Sequence, residues 1–174
     1  MPNIQINRLT NGNIYIDGNS YLGKAEEIQL PAVKAKFTDH KGLGMIMDIE
    51  LPSGFEKMNG KIKWSSLYPD VVSQTGSPYF TLPLQVRGNI ETYDSSGRTA
   101  QNAVVCYLTV RFKDALFQIT LKQNDPSEQE SEFTASYYKL EIGGQRLIEI
   151  DAFAQIYFVN DSDQMTAYRA ALGL

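Results

Sequence analysis

The sequence predicts a mainly β protein, an antiparallel β-barrel or sandwich with one or two short α-helices. Three observations predict this class. Apolar and polar residues alternate with the period of a pleated strand in several separate runs. Ten tyrosines and eight phenylalanines against a single tryptophan favour strands over helices. Glycines, prolines and polar clusters separate the runs, as turns do.

The size and charge of the chain exclude some classes of protein. Its 174 residues are most simply one domain, residues 1–174, with enough chain to bury a core. A formal net charge of -4 argues against a surface that grips nucleic acid, which needs a basic stripe. The single cysteine cannot form an internal disulfide, which favours synthesis in a reducing cytoplasm. We expect no membrane anchoring, because no apolar run approaches the length of a bilayer span.

The first half of the chain is predicted to contain short strands and loops. Residues 45–51 alternate apolar side chains with Asp48 and Glu50, which predicts a half-buried strand with an acidic back. The next segment, 52–60, is predicted to be a turn or loop in which Phe55 and Met58 have no evident shelter. The other segments are predicted as strands at 13–17, 25–30 and 61–66, an alternating stretch at 32–37 and a polar loop at 38–44.

The second half is predicted to contain the longest strands. Residues 82–90 and 104–112 form two partner strands joined through a turn at 94–97. The remaining segments are predicted as a strand-like continuation at 117–121, a polar acidic loop at 124–132, and short helices at 67–75, starting near Pro69, and at 163–172.

A hairpin over residues 133–151 is predicted to organise the fold. Gly143-Gly144 supplies the positive φ angles of a tight two-residue turn. In that register Glu141 lies opposite Arg146, and Leu140 lies opposite Leu147. Both faces are then apolar, with Tyr138, Leu140 and Ile142 on one and Tyr137, Ile148 and Ile150 on the other. A hairpin of this kind needs cover on both faces, from its own chain or from a neighbour.

The residues that could carry chemistry are isolated from one another. His40, the only histidine, lies in a polar loop without the further ligands of a zinc site. Cys106 lies mid-strand on an apolar face, as a buried inert thiol does. Gly42–Gly44 resembles only half of a phosphate loop, and Asp161–Asp163 suits the start of the last helix better than a cation site. We therefore expect no catalytic site, no metal and no cofactor, and the chain is predicted not to be an enzyme.

Both ends of the chain resemble the tube proteins of contractile tails. These are the major tail tube proteins of contractile-tailed phages and the tube subunits of R-type pyocins. The C-terminal residues that carry the resemblance are Tyr137–Ile142, Gly143-Gly144, Leu147–Asp151, Val159-Asn160 and Arg169–Leu174. Those further upstream are Ile16–Gly18, Tyr21, Gly23, Ile28–Pro31, Gly42–Met45 and Lys61–Trp64. The chain departs from the family pattern at 65–101, at 114–132 and at 161–163.

The resemblance implies a β-barrel-like subunit that forms hexameric rings. The rings stack into a hollow tube inside a contractile sheath, and strands pair between subunits to complete a larger barrel. The implied partners are other copies of the chain, the tail sheath protein, baseplate and tail-terminator proteins, a tape-measure protein in the lumen, and double-stranded DNA in transit. The implied location is the tail tube of a virion assembled in the cytoplasm of a bacterial host. In a bacteriocin, ions would pass instead of a genome.

The resemblance and the side-chain pattern together predict two sets of site residues. Asp48 and Glu50 are expected to face the lumen, where an acidic wall would not hold DNA. Met45, Phe55 and Met58 are expected to contact a neighbouring subunit or ring, and the alternative is that they pack against their own barrel. Two other functions stay open. One is the tube of a type VI secretion system or other injection machine, and the other is a monomeric small-ligand barrel with a closed apolar cavity.

Overall fold

The computed structural model describes residues 4–124 and 128–174. Within these residues the chain forms a ten-stranded antiparallel sheet, a separate two-stranded sheet and two short helices. The strands are β1 (Ile6–Ile16), β2 (Asn19–Ser20), β3 (Ala25–Gln29), β4 (Ala35–His40), β5 (Ile49–Phe55), β6 (Met58–Trp64), β7 (Leu82–Asp94), β8 (Gly97–Phe112), β9 (Gln129–Ile142), β10 (Gln145–Asp151), β11 (Ile156–Val159) and β12 (Ser162–Asp163), and the helices are α1 (Pro69–Thr75) and α2 (Thr166–Leu172).

The large sheet branches at β9. Its main path runs β12-β11-β10-β9-β8-β7-β1-β2, while β6 pairs with the first half of β9 and β3 pairs with β6. Side chains from β1, β6, β7, β8, β9 and β10 belong to one hydrophobic cluster, so the sheet must curl round a common core. The fold is therefore an antiparallel barrel-like β structure, as the sequence predicts.

The sheet curls without closing. A groove of about 380 Å³ lies between β1 and β3 and is lined by both strands. In the described part of the chain these two strands share no ladder. We call this groove the seam. In the core Trp64 is fully buried, and its indole N–H donates to the Ser131 hydroxyl at 2.9 Å.

The organising hairpin forms with one change of register. Gly143 and Gly144 have φ angles of 59° and 83°, and Arg146 lies opposite Glu141 as predicted. The predicted pair of Leu140 with Leu147 is wrong, because a bulge after Arg146 places Ile148 opposite Leu140.

This bulge makes the hairpin apolar on one face only. Its residues continue two apolar rows that cross five strands: Ile14, Val86, Cys106, Leu140 and Ile148 in one, and Ile16, Leu84, Leu108, Tyr138 and Ile150 in the other. The opposite face is polar there, and the Tyr137 hydroxyl donates to the Glu149 carboxylate at 2.9 Å. The expectation of two apolar faces is therefore wrong.

Several predicted loops are strands, and one predicted strand is not. Strand β4 continues through His40, and β5 runs through Pro52 and Gly54. The proline and glycine suggest a turn, but β5 pairs on one side only, where a missing N–H can be tolerated. Conversely, residues 117–121 have strand periodicity but form no strand, and Leu121 is 86% exposed.

The predicted acidic loop at 124–132 is shorter than expected. Strand β9 begins at Gln129, and Gln129 and Ser131 are buried. Residues 125–127 of that predicted loop lie outside the described residues.

The two helices are short and differ in how they are anchored. Helix α1 begins at Pro69 as predicted and buries Val71 and Thr75. Helix α2 begins only after Met165 and buries none of its residues. Asp163 is therefore not its N-cap, although its carboxylate accepts the Met165 N–H at 2.9 Å. No helix in the described ranges is long and apolar enough to cross a membrane.

Candidate functional site

A two-stranded arm stands apart from the barrel. It consists of β4, β5 and the connecting residues 41–48, and within the described residues its strands pair only with each other. Every residue of β4 is exposed, as is β5 up to Gly54. The tip of the arm is apolar, and its Leu43 and Ile46 side chains are completely exposed. A contiguous exposed apolar surface of this kind marks a contact site for another molecule.

The arm contains one of the three predicted contact residues at its tip. Met45 is 42% exposed there, whereas Met58 is 5% exposed in the core. Phe55 is half-buried, with its ring centroid 4.8 Å from that of Tyr157. The expected lack of shelter is therefore wrong for Phe55 and Met58, which pack against their own barrel. Contact with a neighbouring copy stays a prediction for all three residues, and Met45 is the most exposed of them.

Both predicted lumen residues lie on the arm and are exposed. The Asp48 carboxylate lies 3.2 Å from the Lys41 ammonium group, and Glu50 lies directly opposite Asp39. The half-buried strand predicted at 45–51 is wrong, because β5 begins at Ile49 and neither face of it is covered. That Asp48 and Glu50 face a lumen stays a prediction.

A three-stranded ribbon supplies a second unpartnered surface. It is formed by the outer parts of β1, β7 and β8, with β7 in the middle. In the described chain, residues 97–102 of β8 have no partner on their second side, because the ladder with β9 begins at Val104. Residues 6–13 of β1 are likewise unpaired on their outer side, since β2 meets only Tyr15 and Ile16. Such free edges are templates for pairing with another chain.

The face of the sheet opposite the core is polar across five strands. One row consists of Tyr15, Gln85, Tyr107, Lys139 and Glu149, and the next of Asn13, Arg87, Val105, Glu141 and Arg146. Opposite charges pair between these two rows. The Lys139 ammonium lies 2.9 Å from Glu141 and 4.6 Å from the Tyr107 ring centroid. The face is thus wettable and nearly neutral, without a basic stripe.

Arginines hold the C-terminal segment against the hairpin. Arg146 donates to Glu149 and to Asp161, at 2.6 Å each, and lies over the Phe158 ring. Arg169 pairs with Asp163 and lowers the pKa of that carboxyl to about 2. The acidic residues at 161–163 are therefore engaged by guanidinium groups, which is a structural role rather than a cation site.

The remaining candidate groups do not form a reactive site. Cys106 is 1% exposed, and burial raises the pKa of its thiol, so the reactive thiolate is suppressed. His40 lies exposed at the end of β4. No group of three potential metal-ligating side chains occurs in the residues that the structure describes.

Sequence reasoning missed the free edges of the ribbon and the extent of the arm. A free edge cannot be recognised from side-chain periodicity, because apolar and polar residues alternate in the same way in a strand paired on one side and in a strand paired on both. The exposure of the arm could have been inferred from the sequence, because the arm contains more apolar residues than a two-stranded hairpin can bury.

Comparison with known proteins gives a consistent result. The chain matches the family model "Phage tail tube protein FII" over residues 6–173. It is 27% identical over 168 residues to the tail tube protein of Escherichia phage P2, covering 93% of this chain and 94% of that protein. It is 25% identical over 147 residues to the major tail tube protein of Serratia phage KSP20, covering 83% of this chain and 82% of that protein.

Solved structures show the same fold. A chain of the sheath-tube complex of an extracellular contractile injection system, PVC, in the extended state superposes with a TM-score of 0.53 over 75% of this chain and 87% of that chain. A chain of the sheath/tube terminator of that system gives 0.52 over 75% and 92%. Sequence identity is 9% in both cases, so these likenesses concern the fold alone.

Proposed function

Because the chain belongs to the phage tail tube protein FII family, we propose that its copies form hexameric rings that stack into the hollow inner tube of a contractile tail. Residues 1–174 act in this as one tail-tube domain. The family is structural rather than enzymatic, and the chain is a tail tube protein of a contractile tail-like system.

The observation that carries the ring is the pair of free edges on one ribbon. The open edge of β1 spans residues 6–13 and that of β8 spans residues 97–102, so the two have similar lengths. They lie on opposite sides of β7 and can pair only between copies. Such a head-to-tail contact generates a ring when the rotation between copies closes. Both strands are antiparallel to β7, so rotation about an axis along the strands would join them in parallel.

Ring closure of this kind assigns the polar face of the sheet to the lumen. The opposite face is filled by the core, so the polar rows are the surface that remains for a conduit. Two of the three cations in these rows are engaged, Lys139 by Glu141 and Arg146 by Glu149, and the third, Arg87, has no carboxylate partner among the described residues. DNA phosphates would then meet no basic stripe that holds them, which suits a genome that slides through. In a bacteriocin the same wall would pass ions.

The partners proposed are those of a tail. A solved chain with this fold belongs to a sheath-tube complex, and another to a sheath/tube terminator. We therefore assign to this chain a surrounding sheath, a terminator and a baseplate at the tube ends, and a tape-measure protein in the lumen. The location is the virion tail, after assembly in the host cytoplasm, as the names of the two phage relatives support.

Two alternatives to a phage tail tube were left open by the sequence, the tube of an injection machine and a monomeric ligand barrel. A tube of an injection machine without a genome has the same fold, and two solved chains of such a machine superpose on this chain with TM-scores of 0.52 and 0.53. A monomeric ligand barrel needs an enclosed apolar cavity, whereas the seam is open to solvent along β1 and β3. The phage tail remains the proposal because the two curated relatives are phage proteins.

Cysteine crosslinking combined with electron microscopy tests the ring. Leu9→Cys and Asn102→Cys place thiols in one row with Ile90 between them, about 10 Å apart across two strand spacings. A disulfide spans at most about 7 Å between Cα atoms, so oxidation can join these thiols only between copies. A second pair in the same register, Asn7→Cys with Ala100→Cys, lies in the row through Thr92. The native Cys106 is buried and adds no background.

After oxidation, purified chain carrying either cysteine pair should give a ladder of crosslinked species on a non-reducing gel, and the largest species should be the hexamer. Electron micrographs should show stacked rings. The single Leu9→Cys variant is the control and should not form a ladder. Rings without crosslinks would reject the pairing of β1 with β8 while keeping the tube. A monomer at high concentration, with no rings, would reject the proposed function. A map of the tube also tests the separate proposal that Asp48 and Glu50 face the lumen.

A further inference from the structure

The arm carries opposite charges at its two ends. Its outer half contains three carboxylates, Asp39, Asp48 and Glu50, with one lysine, Lys41. Its base, which comprises the ends of β4 and β5 at the barrel and the flanking residues 34, 56 and 57, contains three lysines and one glutamate: Lys34, Lys36, Lys57 and Glu56. The Glu56 N–H donates to the Lys34 carbonyl at 2.8 Å and ties the two sides of the base together. The arm is therefore acidic at its far end and basic where it begins.

Most of these charges have no counter-ion in their own chain. Lys41 is engaged by Asp48, and Asp39 faces Glu50 directly across the two strands. Like charges directly opposite one another destabilise a hairpin. Among the described residues, no cation forms an ion pair with Asp39 or Glu50, and no carboxylate does so with the base lysines. The outer half of the arm therefore has carboxylates without a cation, and its base has lysines without a carboxylate. The base of a second arm would supply the cations, and the outer half of a second arm would supply the carboxylates.

An apolar cleft adjoins the base of the arm. It has a volume of about 750 Å³ and lies between the base, the turn after β10 and helix α2, with Phe55, Ile156, Tyr157, Met165 and Tyr168 among its lining residues. Gln155 also lines the cleft. Its side-chain oxygen is buried without a hydrogen-bond partner, and an orphaned acceptor of this kind is costly unless a donor arrives.

We propose that the outer half of one arm lies on the base of the arm of a second copy, with its apolar tip in this cleft. Asp39 and Glu50 then lie against Lys34 and Lys36, and the exposed Leu43, Met45 and Ile46 enter the apolar lining. The inference rests on the proposed self-assembly and names the surface that its arm engages.

The contact is head-to-tail, so every copy contributes the tip of its arm to one neighbour and the base of its arm, with the adjoining cleft, to another. Such contacts repeat without limit unless a rotation closes them, and they suit the stacking of one ring on the next. In this arrangement Glu50 faces a neighbouring copy rather than the lumen. For Glu50 this contact and the lumen position are mutually exclusive alternatives.

Charge reversal at the two ends of the arm tests the contact. The first variant, Asp39→Lys with Glu50→Lys, makes the tip basic, and the second, Lys34→Glu with Lys36→Glu, makes the base acidic. The third combines all four changes in one chain. The control is Lys122→Glu, an exposed charge outside the arm. Tube formation is measured as the pelleted fraction and as tube length in negative stain, and circular dichroism verifies that each variant is folded.

In the first two variants the pelleted fraction should fall about tenfold or more, because each variant places like charges opposite one another at the contact. The third variant should form tubes again when it assembles alone, because its own copies again present opposite charges. It should not co-assemble with the wild-type chain. The control should assemble as wild type does. Normal tubes from the first two variants, or no recovery in the folded third, would overturn the contact and leave the proposed tube intact. A wild-type chain that forms neither rings nor tubes would overturn the proposed function itself.

Discussion

Gly60 in β6 lies where an added methyl group has no room. A Cβ built there would lie 2.3 Å from Cζ of Phe133 and 2.7 Å from the carbonyl oxygen of Gln29. The Phe133 ring is fully buried and packs edge-on against Phe112 at 6.0 Å between centroids. The Gln29 oxygen belongs to the backbone of the neighbouring strand β3. Neither obstacle is the free end of a flexible side chain, so Gly60→Ala must displace a packed ring or a strand.

We expect Gly60→Ala to destabilise the fold by about 2–3 kcal/mol, the upper part of the range for overpacking a dense core. In a protein of this size that lowers the melting temperature by about 5–10 °C. Urea unfolding can be followed through Trp64, the only tryptophan, which is fully buried in the same strand. The midpoint should fall while the denaturant slope stays unchanged.

The matched control is Gly42→Ala in the arm. There the added Cβ meets only exposed side chains, the Met45 sulfur at 3.0 Å and Nε2 of His40 at 3.9 Å, and the Met45 side chain can move away. We expect a change within about 0.5 kcal/mol. Adding Phe133→Leu to Gly60→Ala should cost less than the sum of the two single changes, because the shorter side chain vacates the contested space. Equal midpoints for Gly60→Ala and Gly42→Ala would refute the reasoning.

Three further predictions concern other parts of the chain. Met58→Ala should lower stability by about 2–5 kcal/mol through the cavity it leaves, whereas Met45→Ala should leave unfolding unchanged and shorten tubes in negative stain; the reverse pattern would contradict the burial of the two side chains. The folded pKa of Asp163 lies near 2, below its unfolded value of about 3.9, so its pairing with Arg169 stabilises above pH 4 and that contribution is lost as the pH falls towards 2. Asp163→Asn should flatten acid unfolding monitored by circular dichroism in that window, and an unchanged acid profile would argue against the pair. Cys106 should not react with an aromatic disulfide reagent in the native protein and should react fully in urea; rapid native labelling would contradict its burial.

The sequence predicts the hairpin but not its register. Gly143-Gly144 requires positive φ angles, so the turn can be located without knowing anything else about the fold. The bulge after Arg146 has no such local cause. It places Ile148 and Ile150 in rows that begin on β1, more than a hundred residues earlier. A register set by such distant packing cannot be derived from the hairpin alone.

The candidate site shows the same limit in a different form. Alternation at 45–51 indicates an extended segment, which the structure contains only from Ile49 onward, and alternation does not show whether a third strand covers it. In the arm none does within the described chain, so the apolar face stays exposed. Phe55 and Met58 follow Pro52 and Gly54, which suggest a turn, and only the pairing of β6 with β9 shows that Met58 points into the core.

The seam between β1 and β3 has a mechanical consequence. In a fully closed barrel, strand number and stagger together determine the radius. Here the wall can open or tighten at one line without breaking any rung of its hydrogen-bonded ladders. In the proposed tube, each subunit can therefore adjust its curvature to that of its neighbours, and bending is then distributed over many subunits instead of being concentrated at one contact.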